Sequence, residues 1–192
     1  MDKEKKKRNR QMVNRITLTR VQNLQFLGIF LNATGRKRED LLRYLDISSQ
    51  AFCRWFAVDD IKWSTVVQIF KWCGCSVRMS FSYENGKEPS RHSVCSIIDM
   101  IDINARLAPL FVEMKLNQYN YDTIGKKIGK TAQAVNHWFL VDDIAVSMIY
   151  RMSEAMGATV EFISETIDTA IAEQHLHRSS LNTGIIHSCH NV

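Results

Sequence analysis

The sequence predicts a mainly α protein made of two diverged copies of one small domain, each with four to five helices followed by a short strand. Three observations carry this expectation. Only two prolines and eight glycines punctuate 192 residues, and leucine, isoleucine, methionine and alanine fill the periodic segments, so helix should dominate. The run Trp55-Phe56-Ala57-Val58-Asp59-Asp60-Ile61 recurs as Trp138-Phe139-Leu140-Val141-Asp142-Asp143-Ile144, an offset of 83 residues. Val77, Met79, Phe81 and Tyr83 alternate with Arg78, Ser80 and Ser82, the period of a half-buried strand.

The repeat runs on without a gap. Gln50 and Ala51 meet Gln133 and Ala134, Ser64 meets Ser147, and Gly74 and Val77 meet Gly157 and Val160. Apolar character is kept at Leu27/Leu110, Leu41/Ile124, Leu45/Ile128, Phe52/Val135, Val66/Ile149 and Ile69/Met152, which are the expected core. The period exceeds the about 20 to 50 residues of stacked repeats, so each copy is a domain rather than one layer of a solenoid. The copies are placed at 17–88 and 96–168. A basic flexible arm at 1–16, a linker at 89–95 and a C-terminal helix end with a flexible tail at 169–192 complete the chain.

In the first copy Val21, Leu24, Phe26, Leu27, Phe30 and Leu31 form a helical stripe that stops near Asn32, Thr34 and Gly35. A short helix over 39–45 follows, then the turn Asp46-Ile47-Ser48, then a third helix over 49–56 with Ser48 or Ser49 as N-cap. A loop over 57–63 leads to a fourth helix over 64–72, with Gly74 as its left-handed cap. After the strand, Glu84-Asn85-Gly86-Lys87 turns the chain. The second copy repeats the order, with a strand over 158–163. The two strands can pair with each other and fix both domains in one pseudo-symmetric unit.

Two short helices joined by a three-residue turn constrain the residues between them. The second helix needs a small residue where the third packs, the turn needs a residue that tolerates positive φ, and both helices need buried apolar positions. Gly125, Gly129, Ile124, Ile128, Val135 and Trp138 meet these needs in the second copy; Lys130 departs, because an apolar residue usually follows the turn glycine. The first copy has Ile47 there but places Asp46 at the turn and Leu42 where Gly125 sits. Aspartate tolerates left-handed geometry, whereas Leu42 should widen the angle between the helices or demand compensation elsewhere in the core.

The segments DLLRYLDISSQAFCRWF and TIGKKIGKTAQAVNHWF resemble the lambda-repressor-like, Cro and XRE-type helix-turn-helix family, and the resemblance covers most of residues 17–165. It implies that the third helix lies in the major groove of double-stranded DNA with its N-terminal residues toward base edges. The base-contact candidates are then Ser48, Ser49, Gln50, Cys53 and Arg54 in one copy, and Thr131, Ala132, Gln133, Asn136 and His137 in the other. Glutamine and asparagine can bond an adenine edge in bidentate fashion and arginine a guanine, each for roughly 1 to 3 kcal/mol of discrimination. Arg36, Lys37, Arg38, Arg43, Lys126, Lys127 and Lys130 lie near the second helices and turns and are the phosphate-contact candidates.

Charge is uneven. Residues 1 to 20 hold eight basic side chains against Asp2 and Glu4, more than the whole formal charge of +5, so the body is about neutral. A solvated tail explains this arm more simply than a specific reader does. Five cysteines show no CxxC spacing and follow no secretory h-region, which predicts a reduced, cytoplasmic chain. No run approaches the roughly 18 apolar residues of a membrane span.

Trp55-Phe56 and Trp138-Phe139 fit core packing better than base stacking, and the Asp59-Asp60 and Asp142-Asp143 pairs fit caps before the fourth helices better than acid-base or metal chemistry. His175, His177, His187, Cys189 and His190 have no zinc spacing, and Cys73 and Cys75 have no base partner. No metal, cofactor, small-molecule ligand or enzymatic activity is expected. The sequence thus points to sequence-specific DNA binding, in transcriptional regulation, by two unlike recognition helices on a bipartite site; a homodimer is a further partner to test. The alternative is an antitoxin-like interaction or oligomerisation module that keeps the scaffold without specific DNA binding, a reading the neutral body and the imperfect first motif favour.

Overall fold

The chain order is α1 (Gln25–Thr34), α2 (Arg38–Leu45), α3 (Ser49–Val58), α4 (Trp63–Trp72), β1 (Cys75–Tyr83), α5 (Ala108–Leu116), α6 (Tyr121–Ile128), α7 (Ala132–Leu140), α8 (Val146–Met156) and β2 (Ala158–Thr166). This computed structural model describes residues 23 to 84, 89, 97, 100 to 102 and 104 to 166. The basic arm, the C-terminal tail with its histidines, the turn at 85–87 and the linker apart from Pro89 lie outside the described residues. Among the described residues the protein is mainly helical, with one two-stranded antiparallel sheet.

Local chemistry sets the helix ends. Ser48 Oγ accepts from Ala51 N at 3.1 Å and Thr131 Oγ1 from Ala134 N at 3.2 Å, so Ser48 rather than Ser49 is the cap of α3. Asn120 and Thr123 form a reciprocal capping box at the start of α6. The loop before α4 is shorter than expected, because α3 runs on to Val58 and α4 begins at Trp63.

Of the six apolar pairs expected in the core, five are buried on both sides, with Leu27, Val66, Ile69, Leu110, Ile124, Val135, Ile149 and Met152 fully enclosed. The exception is Leu45, which is half-buried at the end of α2 while Ile128 is buried.

The strands do pair. They run from Cys75↔Thr166 to Tyr83↔Ala158, setting Met79 opposite Phe162 and Phe81 opposite Val160 on the face that meets the helices. β2 runs three residues past the expected end, because β1 supplies a partner that far along. Phe162 gathers Phe26, Trp63 and Tyr150 at ring-centroid distances of 4.4 to 5.5 Å. These rings come from both halves of the chain.

A second join lies at the starts of α4 and α8. Trp63 N donates to Ile144 O at 2.8 Å and Val146 N to Ile61 O at 2.9 Å, around a bridge between Lys62 and Ala145. Asp143 accepts from Ser64 N and Ser64 Oγ, both at 2.9 Å. Asp60 accepts from Ser147 N at 3.0 Å and Ser147 Oγ at 2.6 Å. Each carboxylate therefore caps the helix of the other half, not the one that follows it in sequence.

The first aspartate of each pair does something different from the expected cap on the fourth helix. Asp59 accepts from Asn23 N and Leu24 N before α1, and Asp142 from Arg106 N and Leu107 N before α5. A backbone excursion into left-handed geometry at both residues, φ 54° and 51°, turns the carboxylates that way. Asp143→Ala should lower unfolding free energy by about 1 kcal/mol, the usual worth of a helix cap. Urea unfolding checks this, and a change under about 0.3 kcal/mol would mean the cap adds nothing.

Candidate nucleic-acid interface

The second helix pair is built on two glycines. Gly129 ends α6 at φ 69°, and Lys130 N then donates to Gly125 O at 2.8 Å. A Cβ on Gly125 would sit 2.7 Å from Lys130 O, so this position needs glycine for close approach. The first pair has the same turn: Asp46 takes φ 52° and Ile47 N donates to Leu42 O at 3.0 Å. Yet α6 and α7 lie far closer along their lengths than α2 and α3 do. Leu42, larger than the glycine at the matching position, is half-buried against the core in this more open pair.

Both third helices turn one residue into the core, Phe52 or Val135, and half-bury the tryptophan, Trp55 or Trp138. On α3, Ser49, Gln50 and Arg54 are exposed and Cys53 is half-buried. On α7, Gln133 and His137 are exposed, Ala132 is half-buried, and Asn136 faces partly into a cavity. Ser48 and Thr131 spend a hydroxyl lone pair on their caps. The structure thus brings Gln50 and Gln133 to the surface at the same turn of equivalent helices, one residue in from the start of α7 and of α3.

The basic candidates separate into groups. Lys37 and Lys130 are exposed. Arg43 pairs with Asp40 at 3.6 Å and Lys126 with Asp122 at 2.6 Å, both on the surface, where a pair is worth at most about 1 kcal/mol and a phosphate can compete for the cation. Lys127 is tied to the Tyr119 hydroxyl and donates to Ala155 O at 3.1 Å. Arg38 is half-exposed at the start of α2. Arg36 is set apart from these: its guanidinium lies 4.8 Å over the Trp72 ring, with Nε buried and without a hydrogen-bond partner among the described residues.

Sequence reasoning passed over Lys62, exposed at the bridge between the halves with Nζ 3.5 Å from Asp143. The residue 83 positions on is Ala145, so the alignment gave it no weight, and its place beside Asp143 comes from packing between segments distant in sequence. It also passed over Arg151, whose guanidinium donates to Ile128 O at 2.7 Å and caps α6.

Cys73 is buried, and burial pushes its thiol up to about 12, so it carries no thiolate near neutral pH. Among the described residues no cluster of His, Cys, Asp and Glu could hold a metal ion. Among them, too, no helix is long and apolar enough to cross a membrane.

Comparison of the chain with protein-family models, curated proteins and solved structures finds no match.

Proposed function

We propose that the protein is a sequence-specific DNA-binding protein of the cytoplasm, a transcriptional regulator in which two tandem, duplicated helix-turn-helix domains read a bipartite, non-palindromic site. The observation that carries this reading is the paired exposure of Gln50 and Gln133 on equivalent helices of two halves joined by reciprocal Asp60–Ser147 and Asp143–Ser64 caps. The resemblance of both turn segments to lambda-repressor-like domains supports it. A unit joined in this way presents its recognition helices at one separation, about 34 Å if it follows the usual dimer, one turn of DNA. Gln50 and Arg54 would read one half-site, Gln133 and His137 the other, and Lys37, Arg43, Lys126 and Lys130 would hold phosphates.

The interaction-module reading is favoured by one surface feature. Leu140 and Val141, at the end of α7, are 74% and 46% exposed. Salt separates the two. If about six phosphates are neutralised, affinity for duplex DNA should fall roughly a thousandfold between 50 and 200 mM salt. A flat response, measured by fluorescence anisotropy, would remove the DNA reading and leave the interaction module.

A further inference from the structure

A sheet of two strands has two edges. β1 and β2 are nine residues each, against a usual length of about five to six, and their register runs unbroken from end to end. In such a pair every second residue of each strand points its N–H and C=O away from the other strand. Apart from the β1–β2 ladder, the backbone of residues 76–82 makes no hydrogen bond to another backbone group among the described residues. Proteins protect such edges with proline, lysine, a bulge or a short strand, and β1 has none of these. Its one charged side chain, Arg78, is tied to Glu165 of β2 at 2.5 Å.

We infer that the outer edge of β1 is a docking surface for a second copy of this chain, with β1 pairing antiparallel to β1 about Met79 to make a four-stranded sheet. The strand is self-complementary in that register. On the core face Val77 meets Phe81 of the second copy, a β-branched residue against an aromatic one, and both are only half-buried in a single copy. On the other face Ser76 meets Ser82 and Arg78 meets Ser80, so no charge stands directly opposite a like charge.

Charge complementarity selects this edge. Glu161 lies opposite Ser80 in the sheet, is exposed, and has no ion-pair partner among the described residues. Across the four-stranded sheet one row then reads Glu161, Ser80 and Arg78 of the second copy. The outer two are two strand spacings apart, about 10 Å, which a glutamate and an arginine span over a short serine. Symmetry makes two such pairs. Pairing of β2 with β2 about Phe162 would instead gather Glu161 and Glu165 of both copies, four carboxylates, along one seam. Pairing of β1 with β2 of a second copy is heterologous and leaves an edge open at each end. The inference does not rest on DNA binding.

The test is sedimentation velocity of the full chain without DNA from about 1 to 300 micromolar, with amide hydrogen exchange at both ends of that range. A reversible dimer is expected, with the concentration-dependent slowing of exchange concentrated in residues 76–82. Glu161→Lys sets a cation against Arg78 of the second copy and should weaken the dimer about tenfold. Adding Arg78→Glu reverses both charges and should recover most of that loss, which separates a broken contact from a damaged fold. A chain that stays monomeric throughout would overturn the inference. So would slowing concentrated in β2 or at Leu140 and Val141, a dimer that Glu161→Lys leaves as tight as before, or a double variant no tighter than the single one.

Discussion

Gly125→Ala is expected to lower unfolding free energy by about 2 kcal/mol, the cost of forcing atoms into a filled space. The new Cβ meets Lys130 O at 2.7 Å, and that oxygen is backbone in a turn already held by the bond from Lys130 N to Gly125 O. No side chain can rotate out of the way, so α6 and α7 must separate. The midpoint of urea unfolding should drop with its slope unchanged. A loss under about 0.5 kcal/mol would show that the turn yields easily. The equivalent site already carries Leu42, and α2 and α3 stand apart there, so Leu42→Ala costs stability only through lost burial.

Gln133→Ala should remove roughly 1 to 3 kcal/mol of base discrimination, at one half of the site only. Gln133 is exposed and outside the core of α7, which is held by Val135 and the half-buried Trp138, so folding should not change. Thermal unfolding of the variant provides that control. Competition with sequences altered in either half-site measures the effect: preference should relax in one half and persist in the other. Equal relaxation in both halves would mean that the two helices do not read separate half-sites.

Much of this fold was legible because the repeat let each half corroborate the other. Five apolar pairs turned out buried together, the strands paired, and Asp46 took the left-handed turn that its place opposite Gly129 required. The aspartate pairs show where the reading stopped. That they are caps could be inferred from residue type, but the helices they cap lie 35 residues back or 79 to 87 residues away, a distance no local rule spans. Leu45 was placed in the core by alignment with Ile128, yet it lies at the end of α2 in the more open helix pair.

The candidate site was legible in part. Helical spacing exposed Gln50, Gln133, Arg54 and His137, because one face of each third helix had to bury Phe52 or Val135. It could not show that Arg36 would lie over Trp72, which comes from the fourth helix, or that Asn136 would border a cavity lined also by Met100, Ile101 and Asn104. Both depend on packing between segments distant in sequence.

The central claim is that two fixed, unlike helices read one bipartite site. Selection of binding sites from random duplex DNA by the full chain, at low and moderate salt, tests it most directly. The account predicts enrichment of two different half-sites at a single spacing of about one helical turn, weakened as salt rises. No enrichment at low salt, or half-sites enriched at every spacing, would contradict it.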